Sequence, residues 1–243
     1  MTAKIEAMIA EKQRLVADVS HELRSPLARL RVSLELLDKE ARGNPRYIHK
    51  TIQEVQNLDQ LINDLLDLSG LELNPHQQTL ERIPLQALLN ESIEAHQLLF
   101  DKHRLQLQLQ WPEHQISILG RRDLLERALN NLLSNLLKYA PEGSPTEISL
   151  FVRDQQVSLR VRDHGPGLSA EELAKVGQPF YRPDSSRTRK TGGTGLGLAI
   201  VQRIMQLHRG QLLLQTPADG RGGLEAILIW PLQAGTARLD NSP

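Results

Sequence analysis

Residues 148–167 read Ile148-Ser149-Leu150-Phe151-Val152-Arg153-Asp154-Gln155-Gln156-Val157-Ser158-Leu159-Arg160-Val161-Arg162-Asp163-His164-Gly165-Pro166-Gly167. Ile148, Leu150 and Val152, then Val157, Leu159 and Val161, recur at the two-residue period of strands with one buried face, and Asp154-Gln155-Gln156 between them predicts a hairpin. The second strand carries Asp163 to its end, where Gly165 and Gly167 allow close approach of the backbone to a bound group. A carboxylate placed there accepts a hydrogen bond from an amino group such as that of adenine. Asp-x-Gly is also simply a turn.

Working outward, strands and helices alternate, which predicts an α/β domain from about residue 72 to 233. Leu105, Leu107, Leu109 and Trp111 alternate with Gln as a half-buried strand. Arg121 to Tyr139 reads as a helix with Leu124, Leu125, Ala128, Leu132 and Leu136 on its buried face. Ser169-Ala170-Glu171-Glu172 is a capping box that opens a short helix. Residues 177–193, rich in Gly, Pro, Ser, Arg and Lys, show no apolar period and read as a long mobile loop, a feature that is usually functional or disordered. A helix resumes over Gly195 to His208. Gln211 to Thr216 then pairs with Leu224 to Trp230 across the Asp219–Gly223 turn, and residues 234–243 form a frayed tail.

Residues 1–71 follow a different period. From Ile5 to Leu37 apolar residues step by three and four, including Val19, Leu23, Leu27, Leu30 and Leu34, as on one face of a helix. Ala41-Arg42-Gly43-Asn44-Pro45 supplies a stop and a restart. The second arm carries Ile48, Ile52, Val55, Leu58, Ile62, Leu65 and Leu68 before Ser69-Gly70. Two such helices cannot enclose their own stripes, so the pattern predicts a helical hairpin that pairs with a second copy into a dimeric four-helix bundle.

Composition narrows the function. The chain has 243 residues, 40% of them hydrophobic, with 29 Lys plus Arg against 29 Asp plus Glu. That balance gives no net charge to recruit nucleic acid. The absence of cysteine removes disulfides and thiolate metal sites, and the 8 histidines lack zinc-like spacing. No apolar run reaches the roughly 18 residues of a membrane span, and Met1-Thr2-Ala3-Lys4-Ile5-Glu6 lacks the core of a signal peptide, so the chain reads as soluble.

Three further segments carry chemistry. In Ser20-His21-Glu22-Leu23-Arg24-Ser25-Pro26-Leu27 an imidazole that titrates near neutrality stands beside a carboxylate able to orient it or take its proton. Pro26 removes a helical N–H one turn later at a cost of about 3 kcal/mol. A solvent-facing histidine beside an incidental proline is the plain alternative. Asn131 and Asn135 share a helix face with Lys138 and Tyr139 one turn on. Amide oxygens suit Mg²⁺, the ammonium suits phosphate, and the ring suits a nucleotide; an exposed polar face accounts equally for the same residues. Gly192-Gly193-Thr194-Gly195-Leu196-Gly197-Leu198 opens a helix whose first N–H groups can hold phosphate. It matches neither a Walker loop nor a dinucleotide fingerprint. Arg187-Thr188-Arg189-Lys190-Thr191 before it fits a lid over the nucleotide or a solvated charged loop. Together these segments imply phosphoryl transfer from ATP to His21.

Taken in order, the segments resemble the motif set of bacterial sensor histidine kinases. His21 to Leu27 resembles the H-box, Asn131 to Tyr139 the N-box, Asp163 to Leu168 and Gly193 to Leu198 the two glycine boxes, and Pro179-Phe180-Tyr181-Arg182-Pro183 the F-box. The wording around Phe180 and Gly193 is most similar to the envelope-stress (Cpx-type) and osmosensor branch. The resemblance implies a phosphoacceptor hairpin followed by a Bergerat-type α/β sandwich that binds ATP. It implies His21 as the phosphorylated residue, assisted by Glu22, with Asn135 and Asn131 as Mg²⁺ ligands. Lys138, Tyr139, Asp163, Gly165, Gly167, Gly193, Thr194, Gly195, Leu196 and Gly197 would contact ATP, with Arg182 and Arg187 in the lid. It further implies a homodimer, a response-regulator receiver domain as partner, and the cytoplasmic portion of a bacterial inner-membrane protein, attached only through an N-terminal sensor and transmembrane region. Ser25 stands where the resemblance expects Thr or Asn to position water for a phosphatase reaction. Leu136 stands where it expects a small residue, and the added volume is expected to strain the helix at about 1 to 3 kcal/mol. Two rivals share parts of this pattern. A chaperone- or topoisomerase-like ATPase lacks the His21 hairpin, and a nucleotide-sensing scaffold lacks the chemistry.

Overall fold

The structure is a computed structural model that describes Val19, Leu23, residues 26–32, Leu34, and residues 45–73, 80–183 and 193–232. The chain divides into two units, Met1–Ser69 with Gln178–Leu196, and Gly70–Gly177 with Gly197–Pro243.

In the first unit, residues 26–32 form a helical stretch, α1, and Pro45–Leu73 forms the long helix α2. Arg29 on α1 makes a fork-to-fork pair with Glu54 on α2, Nε to Oε1 at 2.9 Å and Nη2 to Oε2 at 3.1 Å, so the two stretches lie side by side as a hairpin requires. One face of α2 buries Leu61, Asp64 and Leu68, while Ile48, Ile52, Val55, Ile62 and Leu66 stay exposed. On α1, Pro26 is buried, whereas Leu27, Val32 and the nearby Leu34 are exposed. Ser69-Gly70 does not end the second arm: α2 runs through it to Leu73, tolerating an interior glycine that costs about 1 kcal/mol.

The second unit is an α/β sandwich. Strands β1 (Glu81–Pro84) and β3 (Ser117–Gly120) form a small antiparallel pair. Strands β2 (Gln106–Gln110), β4 (Pro145–Arg153), β5 (Gln156–Arg162), β6 (Gln211–Gln215) and β7 (Glu225–Pro231) form a sheet in the order β2-β4-β5-β7-β6, with only β2 parallel to its neighbour. Helices α3 (Leu85–Lys102), α4 (Arg122–Tyr139) and α6 (Gly197–Leu207) pack together against these strands, and the short α5 (Ala170–Leu173) lies between β5 and α6 in sequence.

Register explains the core. Leu109, Ile148, Val161, Ala226 and Leu214 stand opposite one another across all five strands, and Leu150, Leu159, Leu228 and Leu212 form the next rung. Ile148, Leu150, Leu159 and Leu228 are buried, as the two-residue period predicts. The opposite face carries a polar row, Glu147, Arg162, Glu225 and Gln215, in which Arg162 pairs with Glu147 at 3.6 Å and Gln215 donates to Glu225. The predicted hairpin turns through Asp154 and Gln155 at φ +50° and +60°, the left-handed pair that a two-residue turn demands. The predicted capping box is present: Ser169 Oγ accepts the Glu172 N–H, and Glu172 accepts the Ser169 N–H at 2.8 Å.

Leu136 does not disturb its helix. It is buried on the face shared with Leu132 and Leu133, and its carbonyl accepts the Ala140 N–H at 2.9 Å. The helix is regular through this position, and its buried face also carries Leu124, Leu125, Ala128 and Leu129. The tail at 234–243 lies outside the described residues.

Candidate functional site

In the second unit the site grows from the exit of β5. Asp163 Oδ1 accepts two backbone N–H groups, from Gly165 at 2.7 Å and Leu224 at 3.2 Å, while its own N–H donates to the Leu224 carbonyl at 3.1 Å. Among the described residues both side-chain bonds fall on one oxygen, Oδ1. Burial raises the Asp163 carboxyl above the ordinary carboxylate range, opposed by those two N–H groups.

The glycines around it are close-packed rather than merely flexible. A Cβ on Gly165 would lie 2.6 Å from the Tyr139 carbonyl oxygen and 2.9 Å from Asp163 Oδ1. One on Gly223 would overlap the Asp163 carbonyl, and one on Gly167, at φ +70°, would lie 3.1 Å from the Gly223 carbonyl oxygen. The end of α4, the exit of β5 and the Gly222-Gly223 turn therefore meet backbone to backbone around one carboxylate. The sequence places Gly223 in a strand connection and Leu224 at the start of the last strand without linking either to Asp163; the paired glycines there are the available signal.

Helix α4 places its polar residues as the spacing predicts, with Asn131, Asn135 and Tyr139 half-buried and Lys138 exposed. Asn131 Nδ2 donates to the Arg127 carbonyl at 3.0 Å, and its Oδ1 faces Gly197, where a Cβ would come within 2.8 Å of that oxygen. Gly197 is thus the residue that lets α6 start against Asn131. Among the described residues no cluster of three or more His, Cys, Asp or Glu could hold a metal, so a cation here would rely on amide oxygens and on phosphate.

The remaining predicted residues fall in the first unit or outside the described residues. Gly193 accepts from Arg182 Nη1 at 3.0 Å, and Gly195 accepts from the Phe180 N–H at 3.0 Å. Gly195, at φ +72°, has the Phe180 backbone within 3.0 Å of any Cβ it would carry. Leu196 is fully buried, and its N–H donates to Thr194 Oγ1 at 3.2 Å. The Thr194 hydroxyl donates in turn to Asp64 on α2 at 2.7 Å, a residue the sequence reading passed over. His21, Glu22, Ser25 and Arg187 lie outside the described residues.

Known proteins share this plan. Residues 11–74 match the family described as His Kinase A (phospho-acceptor) domain, and residues 120–234 match histidine kinase-, DNA gyrase B-, and HSP90-like ATPase. The sensor histidine kinase CpxA of Escherichia coli (strain K12) is 35% identical over 242 residues, 96% of this chain and 50% of that protein. The signal transduction histidine-protein kinase BaeS of the same strain is 37% identical over 228 residues, 93% of this chain and 48% of that protein. The chain thus spans about half the length of these curated relatives. Among solved structures, the Acinetobacter baumannii histidine kinase AdeS superposes with a TM-score of 0.69 at 25% identity, covering 88% of this chain and 98% of that one. With residues 11–74 matching a phospho-acceptor domain and residues 120–234 an ATPase domain, the chain belongs to the sensor histidine kinases.

Proposed function

We propose that this chain is the catalytic part of a two-component sensor, in which His21 takes the γ-phosphoryl group of ATP and passes it to an aspartate on a response-regulator receiver domain. The observation that carries the reading is the Asp163 cradle. A half-buried carboxylate with both of its backbone donors on one oxygen would keep the other for an amino group, and glycines bring the end of α4, the exit of β5 and the Gly222-Gly223 turn together around it. Tyr139, Gly165 and Gly167 would line the base. Lys138 and the Gly193-to-Gly197 segment would meet the phosphates, with Arg182 and Arg187 closing over them.

The oxygen chemistry of Asn131 and Asn135 fits a Mg²⁺ that keeps phosphate and water as its other ligands. Bound MgATP would supply the transferable phosphoryl group. On the protein side, a neutral imidazole nitrogen of His21 forms the new P–N bond as ADP leaves, and Glu22 orients the ring or takes its proton. Ser25, with one hydroxyl, would position water for regulator dephosphorylation.

The exposed Ile48, Ile52, Val55 and Ile62 on α2, with Leu27 and Leu34 on the first arm, would be buried in a homodimeric four-helix bundle. Among the described residues no helix is long and apolar enough to cross a membrane. By likeness to the sensor kinases, which are about twice this length, membrane attachment would come through an N-terminal sensor region, with this portion in the bacterial cytoplasm.

The test is autophosphorylation with γ-labelled ATP. Wild type should acquire an acid-labile, base-stable label, and His21→Gln should acquire none. Label that persists in His21→Gln would sink the reading.

A further inference from the structure

Asp64 is a buried carboxylate, 4% exposed, on the helix α2. Among the described residues its partners are neutral: Gln60 Nε2 donates to Oδ1 at 2.7 Å, and the Thr194 hydroxyl donates to Oδ2 at 2.7 Å. Taking a carboxylate out of water is costly unless hydrogen bonds compensate, and here each oxygen receives one. The donor on the second oxygen comes from the glycine segment, 130 residues along the chain.

A hydroxyl has a single proton to donate. While Thr194 gives it to Asp64, that proton is withheld from any other anion. The Leu196 N–H is committed as well, because it donates to Thr194 Oγ1. Two of the donors that a phosphate would draw on at this segment are therefore occupied from within the protein. The segment is held in that shape at two further points, Gly193 by Arg182 and Gly195 by the Phe180 N–H.

We propose that Asp64 is a built-in competitor for the nucleotide phosphates: its carboxylate occupies the Thr194 hydroxyl and so latches the Gly193–Leu196 segment to α2 in an ATP-refusing state. The inference rests on the ATP-binding reading above. Two anions, a carboxylate and a triphosphate, contend for one hydroxyl, and mutual repulsion prevents them from sharing it. Nucleotide binding must first break the Asp64–Thr194 bond, which lowers the apparent affinity by the fraction of molecules unlatched. A signal that alters α2 near Asp64 would thereby change nucleotide affinity without touching the base site.

Isothermal titration of the full chain with ATP and, separately, with adenosine tests the latch. Asp64→Ala should bind ATP about tenfold tighter, since it removes a hydrogen bond to a charged group that nucleotide binding must break. Its adenosine affinity should stay at the wild-type value, because adenosine has no phosphate. In the nucleotide-free protein the Leu196 amide should exchange hydrogen faster. Asp64→Asn keeps the side-chain shape and covers the case in which the alanine variant fails to fold; it should give a smaller gain of the same sign. Equal or weaker ATP binding in the folded variants overturns the latch while leaving the ATP reading intact. Failure of wild type and variants alike to bind ATP overturns both.

Discussion

At Asp163 two demands meet on one carboxylate. Oδ1 is structural, receiving the Gly165 and Leu224 N–H groups, and on the proposed reading Oδ2 serves the ligand. Its raised folded pKa means that the native state holds the proton more tightly than the unfolded chain does. The stability cost of this group therefore sets in as pH rises from about 3.9 through the folded value, and it is fully present above that value. Asp163→Asn keeps an oxygen for both backbone donors and removes the charge. We expect its melting temperature at pH 7.5 to equal or exceed that of wild type, while ATP affinity falls by roughly 1.5–3 kcal/mol, ten- to a hundredfold. A calorimetric scan paired with an ATP titration checks this, and a variant that melts lower and still binds ATP contradicts it. Asp163, Gly165 and Gly167 were legible because they sit together on a strand that ends in a recognisable turn. Gly223 was not, because what makes it glycine is the Asp163 backbone arriving from a distant part of the chain.

Among elements, α4 and α6 are joined by a buried histidine. His208, just past the end of α6, donates from Nδ1 to the Ile204 carbonyl at 2.7 Å and accepts the Arg121 N–H on Nε2 at 2.9 Å, so it fixes the start of α4. Burial pushes its pKa below the usual imidazole value, with the Arg121 charge acting in the same direction and the Ile204 bond and Asp123 opposing. The unfolded chain thus takes up this proton first. Stability is fully present above about pH 6.5 and drains away as pH falls toward and through the folded value. His208→Gln should melt lower at pH 7.5, by the equivalent of about 1–3 kcal/mol, and should lose less between pH 6.5 and 5 than wild type does. Parallel pH profiles of melting temperature would contradict that role. The sequence revealed α4, β4, β5 and the capping box because their periods are clean. Strands β1 and β3 are four residues each, too short for any period to register. In α3 the exposed Leu98 and Leu99 blur the apolar stripe, and Pro84 at its start offers no capping side chain.

On the scale of the molecule, the succession of helices and an α/β sandwich was legible from the change of hydrophobic period along the chain. The grouping of 178–196 with the hairpin was not: it depends on pairings such as Thr194 with Asp64 that leave no local signature. The hairpin's exposed isoleucines were legible as a stripe, because helical spacing is independent of what finally covers it. Another surface has a bearing on handling rather than signalling. Strand β2 lies at one border of the five-stranded sheet and reads Gln106-Leu107-Gln108-Leu109-Gln110, uncharged throughout, with all three glutamines exposed. Natural borders of this kind are usually guarded by lysine or proline, and an unguarded one is a template for a second chain to pair with, edge to edge. Concentrated samples should therefore cluster on storage. Gln108→Lys, facing Glu147 across the ladder, should slow the growth of scattered light while shifting stability by no more than about 0.5 kcal/mol. Equal growth in both samples would place the sticky surface elsewhere; slower growth would make β2 the shelf-life limit of the protein.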